Sequence, residues 1–356
     1  MKRFAIYTPY LDSFGGGERY ALTVAEVLSE VGQVDLLIDK HLATLDPEAL
    51  LKKAEKYFNL DLSKVNLKAG PVGPGSGAIR RALFLRKYDL MFYLTDGSIF
   101  FSTAKKSVLH LQSPIKCIYR KSEWGRKKLR SWNLIVFNSK FTRNTAEADW
   151  GRPSVVIYPP VDTSEIKPLD KEKIILNVGR LTPFKQDKKQ ELLIEEFLKI
   201  SKKAKGWHLV LAGSAFKEDE EFIEKLKAKE KGQPVSIMPN LSYEKLLELF
   251  GHSSIYWHAK GFQVDDPTLM GHFGITTVEA MAAGAVPVVI NRGGQVEIVR
   301  DNDAGLLWNG LEELENMTLD LIKDEKLRKE LSKKAIEASK LYSKDVFKEA
   351  ILKLVT

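Results

Sequence analysis

Residues 271–297 read GHFGITTVEAMAAGAVPVVINRGGQVE. Residues 275–283 carry a helical run, and Gly284 stops it, because glycine tolerates the left-handed conformation that follows a helix end. Residues 285–290 form a short apolar run rich in β-branched side chains, the pattern of a parallel strand buried on both faces. Gly293-Gly294 lets the backbone approach something closely. The amino end of the helix offers unpaired N–H groups and the positive end of the helix dipole, which suits a phosphate. Glu279 stands about one turn in, where a carboxylate can hold ribose hydroxyls. A plain helix–strand unit with an exposed glutamate would show the same pattern.

The rest of the chain is consistent with a protein built around such units. Its 356 residues suffice for two domains with separate cores. At 44% hydrophobic and 29% charged it reads as globular and not disordered. No apolar run reaches the roughly 18 residues that span a bilayer. The opening MKRFAIYTPY reads as a first strand and not as a leader. The single Cys117 excludes an intrachain disulfide and fits a reducing, cytoplasmic setting. Charge is lopsided: residues 1–165 hold 25 Lys+Arg against 17 Asp+Glu, so the whole net +8 lies there. A basic first half beside a neutral second half points the first half at an anionic surface.

In order, strands are expected near 4–10, 34–38, 90–94, 134–137 and 155–157, then at 174–178, 207–212, 235–238, 255–258 and 285–290, with helices between them. Gly15-Gly16-Gly17 precedes a helix from about Glu18 to Val31, a strand–glycine loop–helix order that can present N–H groups to a phosphate. The Gly/Pro-rich stretch 66–77 reads as a loop. Arg80, Arg81, Arg86 and Lys87 surround Leu83, Phe84 and Leu85. A second cluster, Arg120, Lys121, Arg126, Lys127, Lys128 and Arg130, contains Trp124 and Trp132. Each reads either as an ordinary surface helix or as a face for anionic lipid. No nucleic-acid motif accompanies them, and no nucleic-acid partner is expected. Tyr158-Pro159-Pro160-Val161-Asp162 reads as a stiff linker. Asp301-Asn302-Asp303 reads as a solvated turn. No zinc spacing, phosphate-binding G-x-x-x-x-G-K-[ST] loop or G-x-S-x-G elbow appears.

The stretch quoted first resembles the nucleotide-sugar signature, E-x7-E, of the retaining GT-B glycosyltransferases of family 4, in their mannosyltransferase-like branch. The resemblance runs through Tyr256-Trp257-His258-Ala259, His272-Phe273-Gly274-Ile275, Gly293-Gly294-Gln295 and Glu297-Ile298-Val299. It is joined by GGGERYALTVAEVL near the start and by Gly179-Arg180-Leu181-Thr182-Pro183-Phe184-Lys185, which is similar to the family's GR….K motif. There are two departures. The first signature glutamate, which in the family touches the donor sugar, falls on Gly271, and only the second falls on a glutamate, Glu279. A family histidine two residues before Pro114 falls on Gln112. His110, on the same side of a strand, either substitutes for it or is a satisfied core histidine.

The resemblance implies an α/β, GT-B chain of two doubly wound, parallel-sheet, Rossmann-like domains facing a cleft. Residues 1–165 would bind the acceptor and 166–340 the nucleotide-sugar donor, and 341–356 would return as a helix to the first domain. It implies a retaining hexosyl transfer from a GDP- or UDP-linked sugar to a saccharide or lipid-linked acceptor, without metal or other cofactor. Gly16 and Gly17 would crowd the diphosphate, Arg180 and Lys185 would neutralise it, and His110 would complete the catalytic set. Gly271, His272, Phe273, Gly274, Ile275, Thr276 and Glu279 would line the donor site. The protein would be cytoplasmic, with the basic half peripheral at an anionic membrane. Two alternatives stay open: a nucleotide-sugar-binding subunit with little catalysis, suggested by Gly271 and Gln112, and a GT-B epimerase or phosphorylase. The phosphorylase is disfavoured by the lack of a cofactor-lysine context.

Overall fold

The computed structural model describes all residues except Ser13, Phe14, Pro74 and 184–186. The chain forms two compact units, Met1–Pro160 with Asp345–Thr356, and Val161–Lys344. The crossings lie at Pro160–Val161 and Lys344–Asp345, where the sequence reading put boundaries at 165–166 and 340–341. The two ends of the second unit are tied to each other. Val161 N–H donates to the Tyr342 carbonyl at 3.0 Å, and Lys344 N–H donates to the Val161 carbonyl at 3.1 Å.

The first unit holds a seven-stranded sheet. Its strands are β1 (Lys2–Tyr7), β2 (Gly32–Ile38), β3 (Val65–Ala69), β4 (Leu90–Leu94), β5 (Lys106–Leu111), β6 (Leu134–Phe137) and β7 (Ser154–Val156). All pair in parallel, in the order β3-β2-β1-β4-β5-β6-β7. Alternation along β1 explains why it sits in the middle. Phe4 and Ile6 pack with Tyr20, Val24 and Leu28 of helix Gly16–Ser29 and with Phe347 and Ile351 of helix Lys344–Leu352. Ala5 and Tyr7 pack on the other face with Leu85, Tyr88, Trp132 and Trp150. Both faces are covered, as a parallel sheet requires. The loop expected over 66–77 begins as strand β3, registered Val34↔Val65 through Ile38↔Ala69. Its half-polar VNLKA is tolerated at an edge, and the Gly/Pro content that suggested a loop starts only at Gly70. Gly16 and Gly17, expected ahead of a helix, are instead its first turn.

The second unit holds a six-stranded sheet. Its strands are β8 (Ile174–Val178), β9 (His208–Gly213), β10 (Val235–Pro239), β11 (Ile255–His258), β12 (Val286–Ile290) and β13 (Leu306–Trp308). The order is β10-β9-β8-β11-β12-β13, again parallel throughout. Ile255 and Trp257 face a core with Phe197, Leu314 and Val288, and Trp257 Nε1 donates to Thr318 Oγ1 at 2.9 Å. Tyr256 and His258 therefore point to the opposite face. Each sheet reverses its strand order beside its first strand, β1 or β8, and open α/β sheets bind ligands at the carboxyl ends of the strands near such a switch.

Candidate donor site and its surroundings

The quoted stretch folds as helix Ile275–Ala282 followed by β12. No side chain caps the helix start at Gly274, and by position the N–H groups of Ile275 and Thr276 lack acceptors within the helix. Tyr256 on β11 places this start. Its hydroxyl lies 2.7 Å from Thr276 Oγ1 and 3.4 Å from the carbonyl of Val178, the last residue of β8. Burial first, and then the Glu279 carboxylate, push the Tyr256 hydroxyl well up, so it stays protonated. Glu279 itself is half-buried on the same helix.

Two glycine loops interlock beside the helix start. Gly294 N–H donates to the Gly271 carbonyl at 2.8 Å. Gly293 has φ +63°, and a Cβ there would meet the Gly271 carbonyl oxygen at 2.2 Å. The Gln295 side chain closes the arrangement. Its Oε1 accepts from Thr277 Oγ1 at 2.8 Å, its Nε2 donates to the Phe273 carbonyl at 3.0 Å, and Nε2 lies 3.4 Å from His258 Nε2. A Cβ at Gly274 would sit 2.4 Å from Gln295 Nε2, so glycine is needed there for packing. Gln295 was legible only as part of a motif; its role needed the fold. Phe273 is buried edge-on against Tyr342, ring centroids 5.4 Å apart, and His272 Nε2 lies 3.1 Å from the Thr268 carbonyl.

Gly271 is a different kind of glycine. Its φ lies outside the left-handed region, and the nearest atom to an added Cβ is His258 Cε1 at 3.4 Å, an ordinary contact. Neither the backbone nor the room for a Cβ demands glycine here, where the signature that the stretch resembles has glutamate.

The cations gather at the end of β8. The Arg180 guanidinium lies 4.9 Å from the Phe216 ring centroid. Lys188 lies across Gly179, where an added Cβ would meet Lys188 Cγ at 2.9 Å. Burial, then the neighbouring charges of Lys260 and Arg180, pull the Lys188 ammonium down to about 7, with Asp187 opposing. Lys260 is lowered too, chiefly by burial, and His258 is held neutral by burial, Lys188 and Lys260. In the sequence Lys188 is one lysine of the pair Lys188-Lys189, and nothing local marks it. Its burial against Gly179 is a tertiary fact. Lys185, the lysine singled out from the motif, lies outside the described residues. The cluster holds more positive than negative charge, so it can receive an anion beside an uncapped helix start.

In the first unit, Gly17 packs tightly at the carboxyl end of the sheet. A Cβ there would lie 3.3 Å from Leu94 Cδ1 and 3.6 Å from Gln112 Cγ. Gln112 Oε1 accepts from Asn138 Nδ2 at 3.1 Å, which turns its Nε2 toward His110 Nε2 at 2.8 Å. His110 is 0% exposed and stacks on Tyr20 with centroids 3.8 Å apart. Burial drives it down to about 3. Of the two readings left open for His110, a buried imidazole stacked on Tyr20 fits the core histidine better than a member of the catalytic set. Gly16, Gly17, Gln112 and His110 are thus brought together in one unit, and Arg180, Gly271 to Thr276 and Glu279 in the other.

Residues 162–338 match the family model described as Glycosyl transferases group 1. A GDP-Man:Man(3)GlcNAc(2)-PP-Dol alpha-1,2-mannosyltransferase of Dictyostelium discoideum is 26% identical over 243 residues, 62% of this chain and 46% of that protein. The alpha-1,3/1,6-mannosyltransferase ALG2 of Rhizomucor pusillus is 28% identical over 262 residues, 61% of this chain and 56% of that protein. The chain thus spans about half the length of the curated relatives it matches. Among solved structures, a glycosyltransferase from Rickettsia africae superposes with TM-score 0.75 at 17% identity, covering 99% of this chain and 97% of that one. The Anabaena HepE protein, solved with UDP and glucose, superposes with TM-score 0.69 at 17% identity, covering 99% of each chain.

Proposed function

We propose, from the match of residues 162–338 to the glycosyl transferases group 1 and from the GT-B fold of the chain, that the protein is a retaining, family 4 hexosyltransferase that moves mannose from GDP-mannose to a saccharide or lipid-linked acceptor. The observation that carries this reading is the cluster at the end of β8. An uncapped helix start is hydrogen-bonded through Tyr256 to the strand that delivers Arg180, with Lys188 against the intervening Gly179. The donor diphosphate takes the Ile275 and Thr276 N–H groups, Arg180 and Lys188. These compensate the charge that builds on the departing nucleoside diphosphate. Glu279 receives the ribose hydroxyls. The donor C1–O bond to phosphate breaks as the acceptor oxygen bonds C1 from the same face, and the acceptor proton passes to the leaving phosphate oxygen. Mannose and GDP are drawn from the named relatives; the acceptor lies with the first unit. Chelator-treated protein is expected to keep its turnover.

The test is NMR of the product from labelled GDP-mannose. Retention at the anomeric carbon supports the proposal, and inversion overturns it. Gly271 favours one other reading, a donor-binding subunit. That reading requires GDP binding without turnover, and turnover on restoring Gly271→Glu.

A further inference from the structure

The donor chemistry leaves unused a face of the first unit. Helix Ala78–Leu85 buries Leu85 but leaves Ile79 79% and Leu83 62% exposed, one turn apart on its outer side. Ile118 is 64% exposed, and Trp124, on helix Glu123–Arg130, is 68% exposed. Residues 99–103 connect the two segments. Arg81 stands 5.0 Å from the Phe100 ring centroid, and Thr103 Oγ1 donates to the Ala82 carbonyl. On the other side Trp132 Nε1 donates to the Phe100 carbonyl at 2.8 Å, and Ser102 N–H donates to Ser131 Oγ at 3.0 Å. Residues 78–88 and 116–132 together hold eleven Lys and Arg against one acidic residue, Glu123, which already lies 3.5 Å from Lys127.

Large apolar side chains held outward among cations fit a surface that is anionic outside and greasy beneath. A nucleic-acid backbone would match the charge but offer nothing to Ile79, Leu83 or Ile118. Tryptophan among basic residues favours the headgroup region of a bilayer. Among the described residues no helix is long and apolar enough to cross a membrane, so the contact is one of lying on the surface. We propose that helices Ala78–Leu85 and Glu123–Arg130 form a docking face for an anionic lipid bilayer, with Ile79, Leu83, Ile118 and Trp124 entering the headgroup layer. This stands on the first unit alone and does not depend on the donor reading.

The experiment is co-sedimentation of the full chain with phosphatidylcholine vesicles, with and without 30% phosphatidylglycerol, across salt concentrations. Binding is expected only with the anionic lipid and is expected to weaken as salt rises. Each neutralised cation is worth about fivefold, so Arg80→Gln with Arg86→Gln should weaken partitioning about 25-fold. Brominated acyl chains should quench the wild-type fluorescence, and Trp124→Phe should remove most of that quenching. Turnover of a soluble acceptor, where present, should be unchanged in these variants. Equal binding to both vesicles, full binding by the double variant, or quenching that survives Trp124→Phe overturns the proposal. Salt-dependent retention on DNA without vesicle binding overturns it in favour of a nucleic-acid partner.

Discussion

Lys188 makes donor binding depend on pH in a direction that can be worked out. Its ammonium is held at about 7, against an ordinary 10.5, by burial and by the charges of Lys260 and Arg180, with Asp187 opposing. At pH 8 roughly one molecule in eleven carries the charge. A diphosphate placed there restores it, so binding takes up close to one proton. Above pH 7 the affinity should fall up to tenfold per unit, about 1.4 kcal/mol, until pH reaches the value the group acquires beside phosphate. Lys260, also lowered, acts with the same sign, while His258 is already neutral. The effect on stability is opposite in sense. The unfolded chain keeps this proton up to about 10.5, so between about 7 and 10.5 the group's contribution to stability rises with pH. The assay is calorimetric titration with GDP at pH 6.5, 7.5 and 8.5 in buffers of different ionisation enthalpy. Lys188→Met should weaken binding ten- to a hundredfold at pH 6.5 and flatten the remaining slope. An affinity independent of pH with no proton uptake, or a full slope surviving in Lys188→Met, would refute the reasoning.

Other consequences follow from packing. Gly293→Ala should cost at least about 2 kcal/mol, since it combines a left-handed φ with a backbone collision, whereas Gly271→Ala should leave denaturant midpoints nearly unmoved; equal losses would contradict the contrast. Gly271→Glu should fold with an unchanged Tm and raise donor turnover, read by nucleotide release, and a large drop in Tm would show that the position cannot take a side chain. Lys171 Nζ donates to the Gly251 and Ala283 carbonyls at 2.6 and 2.5 Å, so Lys171→Met should lose about 1.5–3 kcal/mol in urea unfolding. His110, lowered to about 3, should contribute no inflection to a turnover profile between pH 5 and 8, and His110→Phe should leave any inflection there in place.

Much of the fold could be read because its strands are buried on both faces and so appear as bare apolar runs. The runs 174–178 and 255–258 coincide with β8 and β11. The edges were harder. The half-polar VNLKA of β3 gains its conformation from pairing with β2, and no local pattern announces that. The helix start at Ile275 was legible because glycine turns and helix signals are local. The cation beside it was not. Lys188 acquires its environment only when it folds across Gly179, and in sequence it is one lysine of a Lys-Lys pair. For His110 the sequence left two readings open, and only the fold separates them. A histidine on an apolar strand near a loop looks available until the fold stacks Tyr20 on it.

The most direct test of the central claim is a calorimetric panel of nucleotide sugars on the wild-type chain, Arg180→Ala and Lys188→Met. The account predicts that GDP-mannose binds the wild type and that both variants bind it at least tenfold more weakly. Failure of every nucleotide sugar to bind, or wild-type affinity in both variants, would contradict the donor site at the end of β8.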